Sequence, residues 1–162
     1  MARQMQMAAQ FPPISLLSPA ADAAGRTSTY ISLRNAAAKI WVVAEVNQGN
    51  AATVAFSILQ GKDSSGTSSK AIAASASIWA DQDTATSDAF VAQTAAAAFT
   101  TSAAVKNKLV VFEIVPERDL DLANGFNHIA ISTGASNSAN ITRAEAFVYG
   151  GYQQATPTSS YV

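Results

Sequence analysis

Alternation of apolar and polar side chains is clearest from Lys39 to Gln60, where KIWVVAEV and AATVAFSILQ flank the polar tetrad NQGN. Period-two alternation marks a half-buried strand, and two such runs around a short glycine-containing break read as a β-hairpin. Ile40, Val42, Ala44 and Val46 share one face of the first arm, with Trp41, Val43 and Glu45 on the other. One charge interrupts that arm. Both of its faces are therefore expected to be covered, one by a second sheet and the other by a partner subunit or more of the same chain.

The same pattern recurs along the chain. TYISLR, from Thr29, predicts the start of the folded domain, and GKDSSGTSSK after Gln60 predicts an exposed loop tip. Ala71 to Trp79 reads as one strand, Ala89 to Thr94 as a short extended segment, and Lys108 to Val115 (KLVVFEIV) as a strand that Pro116 ends. ERDLDLANGFN predicts a helical turn closed by Asn124-Gly125. His128 to Ser132 and Ile141 to Tyr152 complete about eight strands at short spacing. The expected fold is all-β: a single-domain antiparallel β-sandwich or barrel over residues 29–152, with an extended arm at 1–28 and a tail at 153–162. Within the arm, MARQMQMAAQ is compatible with a short helix that Pro12, Pro13 and Pro19 prevent from continuing. Ile14, Leu16 and Leu17 then either dock on another surface or pack back on the same domain.

Composition narrows the function classes. Apolar residues make up 49% of the chain and charged residues 13%, about half of the ~25% usual for soluble proteins. A surface of Ala, Ser, Thr, Asn and Gln suits a protein packed into an assembly, and equally a small β-domain with a bland exterior. A net charge of −1 offers no basic excess to displace counterions from phosphates, so no nucleic-acid partner is expected. No apolar run approaches the roughly 20 residues of a membrane span, and no secretory leader pattern opens the sequence. The expectation is a protein made in a cytoplasm, with no membrane partner. With no cysteine, the chain has neither disulfides nor zinc-thiolate sites.

Candidate chemistry is sparse. The single histidine, His128, beside Asn127, lacks a G-x-S-x-G nucleophile elbow and reads as structural. Asp81, Asp83 and Asp88 form the densest acidic patch; such carboxylates serve glycoside hydrolysis or calcium binding, or initiate turns. The EF-hand pattern fails, since its glycine position holds Thr86 and its terminal glutamate position Ala92. Glu117, Asp119 and Asp121 beside Arg118 read as a solvated helix start. Gly61-Lys62 lacks the rest of a phosphate loop, and Asn140-Ile141-Thr142 matches a glycosylation sequon. Trp41, Phe56, Trp79, Phe112, Phe126 and Phe147 fall mostly on strands and read as core. No catalytic residue and no cofactor is expected. Tyr149 and Tyr152, around Gly150-Gly151, join Ile14, Leu16, Leu17, Val42 and Val46 as candidate interface residues.

Long stretches carry a family resemblance: PISLLSPAADAAGRTSTYISLRNA, VVAEVNQGNAATVAFSILQGKDSSGTSSKAI, IWADQDTATSDAFVAQT, VKNKLVVFEIVPERDLDLANGFNHIAISTGASNSANITRAEAFV, and a late tyrosine before QATP. From about Pro13 to Pro157 the chain resembles small structural proteins of tailed bacteriophages, among them capsid decoration (cement) proteins. The resemblance is one of overall texture, without a catalytic motif. It implies a non-enzymatic virion protein on the outer surface of the capsid, bound to the major capsid protein and self-associated as a homotrimer. A tail or head-fibre base protein is the nearest alternative, and a carbohydrate-binding module using Asp81, Asp83 and Asp88 a more distant one.

Overall fold

A computed structural model describes residues 11–33 and 38–150. The expectations for residues 1–10, for Tyr152 and for the tail at 153–162 lie outside the described residues. Among the described residues eleven strands form two antiparallel sheets: β1 (Pro13–Ala21), β2 (Ile31–Ser32), β3 (Lys39–Gln48), β4 (Ala55–Gly61), β5 (Lys70–Ala71), β6 (Ser77–Asp81), β7 (Val91–Gln93), β8 (Ala98–Thr100), β9 (Asn107–Ile114), β10 (His128–Thr133) and β11 (Asn140–Tyr149). The six-stranded sheet runs β1-β11-β3-β9-β6-β7. The other runs β2-β10-β4-β5, with β8 pairing the Ala55–Ser57 end of β4. The chain is thus all-β, as the alternation predicts, and of the two expected architectures it is the sandwich.

Packing between the sheets follows from the same alternation. Ile40, Val42, Ala44 and Val46 of β3, Val110, Phe112 and Ile114 of β9, and Ala144 and Ala146 of β11 point inward from one sheet. Phe56 and Ile58 of β4 and Ile129 and Ile131 of β10 meet them from the other. Burial of this kind contributes about 25 cal/mol per Å² of apolar surface, and it is what holds a chain without disulfides together.

Four expectations are corrected. The first concerns the Lys39–Gln60 segment, which is not a hairpin. Its arms β3 and β4 lie in opposite sheets, so residues 49–54 form an arch between layers. Side chains hold the arch: the Asn50 N–H donates to Asn140 Oδ1 (2.9 Å), Asn140 Nδ2 donates to the Ala52 carbonyl (2.9 Å), and Val54 and Thr101 exchange hydrogen bonds of 3.1 and 2.9 Å. Gly49 is required there, because a Cβ would stand 2.5 Å from the Ala139 carbonyl oxygen.

The second correction moves the start of the folded domain from Thr29 to Pro13. β1 is a full edge strand paired with β11 from Pro13↔Phe147 to Ala21↔Ile141. Register shifts beside Leu17 bulge the strand, so the consecutive Leu16 and Leu17 both turn inward, with Ile14. Residues that follow are tied back as well. Arg26 donates to the Ser18 carbonyl and to both oxygens of Thr142, and the Ser28 N–H donates to the Ile131 carbonyl. Residues 13–28 therefore belong to the sandwich rather than to an arm.

The third divides the strand expected over Ala71 to Trp79. β5 and β6 lie in different sheets, joined by a turn in which the Ala73 N–H donates to the Asp119 carbonyl (2.9 Å) and Ser75 Oγ donates to Asp119 Oδ1 (2.5 Å). The fourth concerns Asp119 itself, which is buried rather than solvated. Burial raises its pKa, but hydrogen bonds from Arg118, Ser75 and the Val115 N–H outweigh that and hold the carboxyl below its usual range. The helical turn is present, as α1 (Pro116–Asp119) followed by a 3-10 turn (Leu122–Asn124) that Gly125 closes at φ +83°.

Candidate assembly face

Alternation on a strand that buries one face leaves the other outside. On β3, β9 and β6 the outward set is Trp41, Val43, Val111 and Trp79, because their neighbours Val42, Phe112, Ile78 and Ala80 fill the core. Register places these side chains together. Trp41 lies opposite Phe147 of β11, and Val43, Val111, Trp79 and Ala92 stand side by side across β3, β9, β6 and β7. Phe11, upstream of β1, adds a fifth aromatic ring to this area: it meets the Trp41 ring edge-on at 5.8 Å and stacks on Tyr149 at 5.2 Å. Phe11, Trp41, Val43, Val111 and Phe147 line a shallow groove of about 330 Å³ with no polar residue among them. Trp79 remains 39% exposed beyond one side of it.

Charges bracket the band at both ends of the strands. Lys39 pairs with Glu113 (3.0 Å) and lies 5.3 Å from the Trp41 ring centre, while Trp41 Nε1 donates to Glu113 (3.2 Å). At the other end Arg143 bridges Glu45 (2.7 Å) and Glu145 (3.2 Å). Exposed pairs of this kind contribute about 0–1 kcal/mol each to stability, so their weight lies in framing the apolar band. An apolar centre with a polar rim is the anatomy of an interaction surface.

The interface candidates named from the sequence distribute differently. Ile14, Leu16, Leu17, Val42 and Val46 are buried in the protein's own core. Tyr149 is half-buried at the groove end against Phe11. Trp41, Trp79 and Phe147, read as core, stand on the outer face. The signal that locates the face was present in the alternation of β3, but which of its two faces was spare depended on where the second sheet lay.

The acidic patch serves turns. Asp81 Oδ1 accepts the Asp83 N–H (2.9 Å), and Asp83 accepts from the Thr86 hydroxyl (2.6 Å) and from Lys106. The Lys106 ammonium holds the Asp83 carboxyl below its usual pKa, with Thr86 adding to the effect. Asp88 is exposed and does not line the cavity of about 460 Å³ that Asp81, Asp83, Gln93 and Lys106 share. Among the described residues no group of three or more His, Asp or Glu is arranged to hold a metal ion. His128 is half-buried against Asn127 (2.6 Å), and burial lowers its pKa. Asn140 of the sequon is fully buried with its amide engaged in the arch, which closes it to modification in the folded protein. Among the described residues no helix is long and apolar enough to cross a membrane. Comparison with family models, curated proteins and solved structures gave no match.

Proposed function

We propose that this chain is a non-enzymatic structural protein of a tailed-phage virion, which decorates and stabilises the outer surface of the capsid as a homotrimer. The observation that supports this reading best is the outward apolar band of Trp41, Val43, Val111, Trp79 and Phe147 on a sheet whose opposite face already supplies the core. The low charge content and the textural resemblance to decoration proteins add to it. The partner is the major capsid protein, and many copies docked on one lattice turn modest single contacts into firm attachment.

Co-sedimentation with purified expanded capsids tests the reading. Wild-type protein is expected to pellet with capsids at a fixed stoichiometry and to sediment as a trimer alone. Val43→Lys and Val111→Lys should keep the β-sheet circular dichroism and lose capture by at least about tenfold, the effect of 1.4 kcal/mol. A strictly monomeric protein that ignores capsids, or lysine variants that bind like wild type, would overturn the proposal. Capture on purified tails instead of heads would assign the chain to the tail or fibre base.

A further inference from the structure

Where β1 ends, a carboxylate enters the interior. The Asp22 side chain is completely buried, and its Oδ1 accepts the Thr133 hydroxyl at the end of β10 (2.5 Å). That hydroxyl in turn accepts the Arg26 N–H (2.9 Å). The Asp22 backbone is tied as firmly: its N–H donates to the Asn140 carbonyl and its carbonyl accepts the Ser136 N–H, both at 2.9 Å. Asp22 Oδ2 and Arg26 Nε are the exceptions. Both atoms are buried, and neither has a hydrogen-bond partner among the described residues.

These two groups cannot satisfy each other directly. Arg26 Nε lies 3.9 Å from Asp22 Oδ1, whereas N–H···O bonds run about 2.7–3.2 Å. The rest of the guanidinium is anchored elsewhere: Nη1 donates to the Ser18 carbonyl (2.9 Å), and Nη2 to the Thr142 carbonyl (2.6 Å) and hydroxyl (2.7 Å). The turn between Asp22 and Arg26 is already pressed onto β10, since a Cβ on Gly25 would stand 2.6 Å from the Thr133 carbonyl oxygen. A polar gap of this width is one that two hydrogen bonds through a single small molecule span.

Chemistry selects the molecule. It must donate to a carboxylate oxygen and accept from a guanidinium N–H. A metal ion would meet the carboxylate but face the positive guanidinium, and an anion would meet the guanidinium but face the carboxylate. Water does both, and buried polar groups left over by the protein are where internal water is held. We propose that Asp22 Oδ2 and Arg26 Nε together bind one internal water, which completes a polar clamp between the two sheets. The clamp grips β1 at Ser18 and β11 at Thr142 in one sheet, and β10 at Thr133 in the other. The site is independent of the capsid reading.

The test uses the full chain labelled with nitrogen-15. Water-selective NOE and ROE spectra are expected to join Arg26 Hε to water, with the sign of a bound molecule. Exchange of Hε with solvent should be at least about tenfold slower than at Arg118 and Arg143, whose side chains are 46% and 48% exposed. A scalar coupling across a direct hydrogen bond from Arg26 Nε to the Asp22 carboxylate would overturn the proposal in favour of a closed ion pair. Exchange as fast as at the two exposed arginines, or no water cross-peak, would also overturn it. Asp22→Leu keeps a side chain of similar reach without an acceptor, so the cross-peak should vanish in folded protein; its persistence would place the water elsewhere and refute the site. The wild-type spectra decide the question without that variant.

Discussion

Lys108 is a charged residue buried in the fold. Its side chain is fully buried, and its ammonium donates to Gln48 Oε1 (2.5 Å), the Ser102 carbonyl (2.8 Å) and the Ala104 carbonyl (2.5 Å), with no carboxylate among the partners. All three donors of the ammonium are used to close the 102–108 loop against the end of β3. Burial, with Lys106 nearby, lowers its pKa. Lys108→Met should destabilise the protein by about 1–3 kcal/mol, because Gln48 Oε1 and the Ala104 carbonyl lose this donor and the Ser102 carbonyl keeps only the Gln48 amide. The pH dependence has a fixed sign. The folded value lies below the ordinary value of about 10.4, so the unfolded chain binds more protons between the two, and stability rises with pH through that window. Denaturant titrations from neutral pH to about pH 10 should show this rise in wild type and its loss in Lys108→Met. Nothing in KNKLVVFEIV announced this role: alternation assigns Lys108 to the inward set with Val110 and Phe112, but a lysine at a strand start ordinarily marks a solvated end.

At the scale of elements, the inward positions were legible and the pairing was not. Periodicity reports which side chains of β3 and β9 face the core, since burial alternates along them, and of β4 up to Gln60; on β10, Ile129, Ala130 and Ile131 are all buried. It does not report whether the next strand lies beside or across. NQGN carries the composition of a hairpin turn, yet Asn140 and Thr101, distant in sequence, hold its Asn50 and the following Val54 in an arch. β1 was obscured by its prolines, which an edge strand tolerates, and by a bulge that breaks the alternation at Leu16 and Leu17. Leu17→Ala decides between strand and arm. As a core residue it should cost the isolated protein about 2–5 kcal/mol in denaturant unfolding, whereas an arm that docks on a partner would leave the free protein unaffected.

For the whole molecule, the all-β class follows from alternation, and the two packed sheets decide for a sandwich over a barrel. Position of the outward, half-buried band does not follow from alternation, because it depends on which face the second sheet takes. Its make-up fixes how association should respond to salt. The centre is apolar and the charges sit at the rim as pairs within one chain. Capture on capsids, or self-association, should therefore persist from 50 to 500 mM salt, where exposed charge pairs are largely screened. Loss of binding over that range would show that rim charges carry the contact.

The pairing of β1 with β11 and of β3 with β11 has a consequence for how copies are made. Val43 stands opposite Glu145, and Pro13 opposite Phe147. Until residue 149 has been synthesised, the edge strand has no partner and the central strand lacks one of its two. A nascent chain therefore presents no finished outer face until β11 has closed the sheet. Until then the unpaired edge of β3 is open to wrong partners, which makes the last strand the one that guards the chain against aggregation.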